Sequence, residues 1–235
     1  MEQFYRCQPL LGQEYYESLK TKTVAVFGIG GVGGYVVEAL ARSGVGNLHL
    51  VDNDTVSISN LNRQIIATHS SIGKFKVDIA KERVFDINPN CNVTVSHEFY
   101  LPETAKNFDF SKFSYVVDAV DTVSAKLDIV EKCKNMNIPV ISVMGTGNKL
   151  NPTLFKVSDI SKTSVCPLAR VMRSSLKKRG ISSLKVVFSE EIPHESGMFD
   201  TSKNKSIPAS VSFVPPVAGF IAAGEVIKDL LNIKD

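Results

Sequence analysis

Between Gly28 and Asp121 the chain spaces glycines, carboxylates, amides and cations in a way that suits phosphate and ribose chemistry. The turn Gly28-Ile29-Gly30-Gly31-Val32-Gly33-Gly34 follows an apolar run, Val24 to Phe27, and precedes an apolar-periodic stretch that predicts a helix. Glycines there let the chain turn with positive φ and let backbone N–H groups approach a ligand with no Cβ in the way. The helix they open offers unpaired N–H groups and a positive dipole end to an anion. A second run, Asn47 to Val51, delivers Asp52 and Asp54. A carboxylate at the tip of a second strand is placed to accept hydrogen bonds from ribose hydroxyls. The segment Ser59-Asn60-Leu61-Asn62-Arg63-Gln64 adds amides and a guanidinium, and Gly73-Lys74-Phe75-Lys76 opens an amphipathic helix with two more cations. A third run, Tyr115 to Val120, ends in Asp121.

Each addition narrows the chemistry. A GxGxxG turn alone fits many nucleotide binders and some loops that need only tight packing. With Asp52 it would allow a nicotinamide-dependent dehydrogenase. A nicotinamide cofactor, however, brings only a diphosphate and needs little positive charge beyond a helix end. Arg63 and Lys76 suit a triphosphate, whose transfer builds charge that fixed cations neutralise. Asp121 suits Mg²⁺, which takes one or two carboxylates together with phosphate oxygens and water.

Elements must hold these groups, and the pattern says which. At 235 residues, 43% hydrophobic and 22% charged, the composition is that of one ordinary globular domain spanning 1–235. Apolar strands alternating with helical patterns predict an α/β, Rossmann-like fold: a mainly parallel sheet with helices on both faces. The most apolar stretch, Val214 to Leu231, is interrupted by Pro215, Pro216, Glu225, Lys228 and Asp229 and is too short to span a membrane. It reads as a core-packing helix in which Gly219 and Gly224 permit close contact. Residues 196–210 are polar and rich in turn formers, which predicts a mobile surface loop. Cys7, Cys91, Cys133 and Cys166 show no CxxC pair of the kind that holds zinc. Scattered cysteines without a signal peptide suggest a cytoplasmic protein with free thiols and no membrane association.

In order along the chain, GxGGxG, the acids Asp52 and Asp54, SNLNRQ, the GKxK of Gly73 to Lys76, INP at Ile87 to Pro89 and DAVD at Asp118 to Asp121 resemble the ATP-dependent adenylyltransferases related to ubiquitin-activating enzymes. Within that superfamily the chain is similar to the tRNA threonylcarbamoyladenosine dehydratases. That likeness rests on Arg6 to Gly12, Leu40 to Gly46, Asp159 to Thr163, Val186 to Glu191 and the closing SVSFVPPVAGFIAAGEVIKDLL. The resemblance implies a loop of Gly28, Gly30, Gly31 and Gly33 under ATP, and a ribose held by Asp52 with Asp54 nearby. Asn60, Arg63 and Lys76 would lie on the phosphates, and Asp121, with Thr122 beside it, would bind Mg²⁺. Arg6 resembles an arginine that relatives lend across a homodimer, with residues 1–20 in contact with the second subunit. It further implies that a carboxylate attacks the α-phosphorus of ATP, giving an acyl-adenylate whose AMP leaves when the substrate's carbamoyl group closes a ring with net loss of water. Held within one substrate molecule, such groups reach effective molarities of about 10⁵ M or more.

An alternative is adenylation of the C-terminal glycine of a ubiquitin-like sulfur carrier, with a ubiquitin-like or sulfur-transfer protein as partner. The missing CxxC pair and a basic segment count against it. That segment carries Arg170, Arg173, Lys177, Lys178, Arg179 and Lys185 after Lys162. On a helix over 164–179, Arg170, Arg173 and Lys177 share a face. They form either a tRNA-phosphate stripe, together with Lys178 and Arg179, or a solvated surface. Cys166 departs from the acid that the dehydratases carry there; it is either an acyl or sulfur acceptor or a neutral substitution. His69 would line the ATP site and Lys74 is an outside candidate for a phosphate contact. His49 reads as packed or edge-exposed, and His97 and His194 complete no nucleophilic constellation. Asp118 reads as a structural strand-end acid and Lys126 as solvated.

Overall fold

The computed structural model describes residues 2–200 and 205–233. Seven strands form one sheet: β1 (Thr23–Phe27), β2 (Asn47–Val51), β3 (Asn92–Ser96), β4 (Tyr115–Asp118), β5 (Val140–Val143), β6 (Phe155–Asp159) and β7 (Lys185–Ser189). Their order is β3-β2-β1-β4-β5-β7-β6, parallel throughout except for the antiparallel pairing of β6 with β7. Strand order reverses between β1 and β4, and ligands of open α/β sheets bind at such switch points, beyond the carboxyl ends of the strands. Gly28, Asp52 and Asp121 all lie just past those ends.

Helices cover both faces. Short helices α1 (Gln8–Leu11) and α2 (Tyr15–Leu19) precede β1; then come α3 (Gly33–Arg42), α4 (Lys76–Ile87), α5 (Val123–Asn135), α6 (Pro167–Lys178) and α7 (Pro215–Leu230). Side chains alternate along each strand. Val24 and Val26 therefore pack against one layer, with Leu40 of α3 and Ala222 of α7, while Ala25 and Phe27 enter the other, with Ile129 of α5 and Met172 of α6. Burial on both faces explains why these strands read as unbroken apolar runs. Between β3 and β4 two 3₁₀ turns replace a full crossover helix, and Tyr100, Phe108, Phe110 and Phe113 gather around Phe27 to close the layer.

Three expectations change here. The basic helix begins at Pro167, because Val165 sits at φ 60 and no helix can pass through a left-handed residue. Of the two glycines of α7 only Gly219 meets a close neighbour: a Cβ there would lie 2.5 Å from Val32 O, whereas Gly224 has open space. Part of the stretch 196–210 is paired, as β8 (Phe199–Asp200) with β9 (Lys205–Ser206); residues 201–204 lie outside the described residues. No helix among the described residues is long and apolar enough to cross a membrane.

Candidate functional site

A cleft of about 470 Å³ opens at the switch point. Gly28, Gly30, Gly31, Asp52, Asp54, Asn60, Arg63, Lys76 and Asp121 all line it. The glycine turn is built on backbone contact. Gly28 has φ 87, and a Cβ there would stand 2.8 Å from Ala119 O; on Gly33 it would stand 1.8 Å from Gly28 O. Gly33 is thus a packing requirement beneath the loop and does not itself line the cleft. The amides of Gly30, Gly31 and Val32 have no partner among the described residues, the arrangement that receives an anion at a helix start.

Asp52 locks the loop to β2: its Oδ2 accepts from Ile29 N at 2.7 Å and its Oδ1 from Asp54 N at 2.8 Å. Burial pushes its carboxyl above the ordinary value, opposed by Lys76 and by those two donors. A carboxylate has about four acceptor positions, so two remain open to donors from the cleft. Lys76 reaches the site because residues 54–56 pair antiparallel with 73–76, through Thr55 and Phe75 and the bond from Lys76 N to Asp54 O (3.0 Å). Its Nζ then donates to Asp54 Oδ2 at 2.6 Å, and the lysine is 5% exposed. Asp54 is thereby the residue that holds the cation in place.

A tight turn places Arg63. Asn60 Oδ1 accepts from Ser57 N, and the amides of Arg63 and Gln64 return to Asn60 O. The Arg63 side chain then lies so close to Gly31 that a Cβ there would be 3.2 Å from its Cγ. Its Nη1 donates to Ser59 O and Asn62 Oδ1, and burial lowers its pKa from the usual guanidinium value. Opposite stands Asp121, exposed, its Oδ1 accepting from Thr122 Oγ1 at 3.3 Å. Thr122 itself lies behind Asp121, outside the lining. Nowhere among the described residues do three or more His, Cys, Asp or Glu side chains gather to hold a metal ion. The fit is therefore to an ion that arrives with phosphate oxygens and takes one carboxylate from the protein.

The loop bearing Asp121 is braced from below. Asp118 and Lys126 are both fully buried; Lys126 Nζ donates to Asp118 Oδ2 (3.0 Å), Ser142 Oγ (3.2 Å) and Val143 O (2.8 Å). Ser142 Oγ also donates to Asp118, whose other oxygen accepts from Val120 N. Lys126 is thus no solvated lysine, and Asp118 is the structural acid expected.

Other candidates fall elsewhere. Arg6 lies in the 3₁₀ turn Glu2–Cys7, in a separate depression with Glu2, Gln3, Tyr5 and Gln8, and does not reach its own chain's cleft. His69 and Lys74 are exposed and outside the lining, because the turn after Gln64 carries the chain away from the loop. Cys166 is buried at the start of α6. Arg173 donates to Thr163 O and Oγ1, Arg179 pairs with Glu131, and Lys185 pairs with Glu225 and Asp229, so these cations are occupied within the chain. Arg170, Lys177 and Lys178 are exposed, with no ion pair among the described residues. Sequence reasoning missed part of the wall: Glu98 to Tyr100 after β3, Thr146 and Gly147 after β5, Ile207 to Ser210, and Gln64, whose buried Oε1 has no partner among the described residues. The SNLNRQ spacing was the available signal for Gln64; strand ends at a switch point were the signal for the residues after β3 and β5.

A loop of unbonded amides, a half-buried acid, two cations and a solvent-facing acid on one doubly wound sheet have the layout of a nucleotide-binding domain, and the ThiF family model matches residues 5–235: the chain belongs to the ThiF family. A curated tRNA threonylcarbamoyladenosine dehydratase of Bacillus subtilis is 46% identical over 99% of this chain and 96% of its own length. One from Haemophilus influenzae is 36% identical over 92% and 88%. The crystal structure of the E. coli tRNA N6-threonylcarbamoyladenosine dehydratase in complex with ATP superposes with a TM-score of 0.89 at 32% identity, covering 98% of this chain and 94% of that one.

Proposed function

We propose that this protein is an ATP-dependent tRNA threonylcarbamoyladenosine dehydratase. The observation that carries the reading is the single cleft in which a ribose acid, two cations and an exposed acid surround a loop of unbonded amides, in a chain similar to named dehydratases along almost its whole length. The substrate carboxylate is a poor electrophile, since oxide is a hopeless leaving group. Attack of its oxygen on the α-phosphorus of ATP, with pyrophosphate leaving, converts it to an acyl-adenylate. The carbamoyl group of the same side chain then attacks the acyl carbon, AMP departs and the ring closes, a net loss of water.

The chain's residues divide the work. Gly30 and Gly31 offer N–H groups to the phosphates, Asp52 holds the ribose, and Asn60, Arg63 and Lys76 neutralise charge on the phosphate oxygens as pyrophosphate separates. Asp121 would hold Mg²⁺, which would supply further neutralisation of the phosphate charge. Arg6 acts in a homodimer, entering the cleft of the second copy; its distance from its own cleft and the exposure of Tyr5 (70%) and Leu10 (85%) beside it support that placement. Arg170, Lys177 and Lys178 contact tRNA phosphates, with Arg173 and Arg179 shaping the helix that presents them. The activity belongs to the cytoplasm, where tRNA, ATP and reduced thiols coincide. A sulfur-transfer or ubiquitin-like partner would dock on the dimer without changing this chemistry.

The test is to incubate the protein with Mg-ATP and tRNA bearing threonylcarbamoyladenosine, then to weigh the nucleoside after gentle digestion. ATP-dependent loss of one water is the expected result. An unchanged nucleoside, with ATP–pyrophosphate exchange only on adding a ubiquitin-like protein, would move the assignment to sulfur-carrier adenylation.

A further inference from the structure

Ile207 to Ser210 run along the cleft and contribute to its wall, although the stretch bears no charged side chain and belongs to no strand or helix. What holds it there is hydrogen bonding from both banks, through one backbone bond and two side-chain bonds. On one bank Asn148 makes a matched pair with Ala209: Asn148 N donates to Ala209 O at 2.7 Å, and Asn148 Oδ1 accepts from Ala209 N at 2.7 Å. On the other, Asn62 Nδ2 donates to Ser210 O at 3.0 Å, next to Arg63. The strap also lies directly on the loop after β5, since a Cβ on Gly147 would come within 2.9 Å of Pro208 Cβ. Asn148 itself is left-handed, φ 59, and its carbonyl accepts from His194 N at 2.8 Å. Asparagine enters that region more readily than other non-glycine residues, and these bonds hold Asn148 in it.

We propose that Asn148 is a positioning residue: it fixes Ile207 to Ser210 as a wall of the cleft and so keeps water from the activated acyl group. Asn148 does not line the cleft, so it acts through the strap and not on the nucleotide. The role rests on the adenylation proposed above. An acyl-adenylate has two fates here. Attack by the carbamoyl group gives the ring and AMP; attack by water returns the carboxylate and AMP, with ATP spent and no product. Enclosure suppresses the second.

The experiment measures AMP formed per dehydrated nucleoside, alongside amide hydrogen exchange of the whole protein. Asn148→Gly tolerates the left-handed φ and keeps the backbone bond, but loses the acceptor for Ala209 N. Exchange at Ala209 should accelerate about threefold to tenfold, the shift expected when one ordinary hydrogen bond is lost. The AMP-to-product ratio should rise with it. Asn148→Asp retains an acceptor and should restore both. A residue that served stability alone would lower AMP and product together and leave their ratio unmoved. An unchanged ratio in Asn148→Gly, or a ratio raised equally in Asn148→Asp, overturns the proposal. If the unaltered protein yields no dehydrated nucleoside, the dehydratase reading fails instead, and the water-shielding role fails with it.

Discussion

Removal of the Lys126 ammonium should cost this protein several kcal/mol of stability, because it orphans a fully buried carboxylate. In Lys126→Met the apolar stem stays and the charge goes. Asp118, fully buried, would keep only Ser142 Oγ and Val120 N as donors, having lost the bond at 3.0 Å. Ser142 Oγ and Val143 O would each lose their bond from Nζ as well. Breaking a buried pair by deleting one partner costs about 3–5 kcal/mol, because an uncompensated charge remains. For a domain of this size each kcal/mol lowers the melting temperature by roughly 2–4 °C, so the variant should melt roughly 6–20 °C early. Removing both charges, as in Asp118→Asn with Lys126→Met, leaves no uncompensated charge and should recover at least half of the loss. Denaturant unfolding of the two single variants and the double variant gives the coupling energy directly. A loss below about 1 kcal/mol in Lys126→Met, the range of exposed pairs, would refute the reasoning and return Lys126 to the solvated role its sequence suggested.

The two glycines of the loop should separate folding from binding. Gly33→Ala puts a Cβ 1.8 Å from Gly28 O and should destabilise by more than about 4 kcal/mol, whereas Gly30→Ala meets nothing nearer than Gln64 Nε2 at 3.9 Å. Gly30→Ala should therefore melt normally yet bind ATP about tenfold or more weakly, because the new Cβ occupies the open space through which a phosphate approaches the loop amides and keeps it from bonding to them; calorimetry and nucleotide titration check both. Asp121→Ala should leave stability within about 0.5 kcal/mol, because its side chain is exposed, but abolish Mg-dependent turnover. Mixing it with Arg6→Ala should restore part of the activity in heterodimers if Arg6 works across the interface; no restoration in a confirmed heterodimer would remove it from that role. Finally, burial pushes the Asp159 carboxyl up, but donors from Ser161, Ser183 and Leu184 outweigh it and hold the pKa at about 2. The ordinary value is about 3.9. A depressed folded pKa contributes stability that is present above pH 4 or so and is lost as pH falls toward 2. The stability gap between the protein and Asp159→Asn should therefore narrow across that window; a constant gap in acid unfolding would contradict it.

Much of the fold is legible because local pattern and tertiary demand agree. Val24 to Phe27 is apolar throughout because each residue enters one of two packed layers, and two of the glycines that follow, Gly28 and Gly33, are required by backbone contacts that no side chain could survive. Asp52 is legible from the end of β2, while Arg63 and Lys76 reach the same cleft through the turn after Asn60 and the antiparallel pairing of Thr55 with Phe75. What stayed hidden depends on partners distant in sequence. Lys126 sits among charged neighbours in α5, and only the pairing of β4 with β5 places Asp118 and Ser142 around it. Arg173 and Lys185 count as surface charge until Thr163 and Asp229 are known to meet them. Ile207 to Ser210 belong to a polar, turn-rich stretch, and nothing local announces that Asn148 and Asn62 hold them against the cleft.

The floor of the cleft is two backbones thick, with Gly33 against Gly28 and Gly28 against Ala119. The phosphate loop and the loop that carries Asp121 are therefore one mechanical part, and neither can be adjusted without moving the other. Redesign of this scaffold for a different nucleotide or acyl substrate has no slack to use at that floor. The adjustable part of the wall is Glu98 and Phe99, which no such contact constrains; Tyr100 is buried against Phe27, and Ile207 to Ser210 are held by Asn148, Asn62 and Gly147. A library confined to Glu98 and Phe99 would vary the cleft wall while leaving that floor and the strap from Ile207 to Ser210 in place.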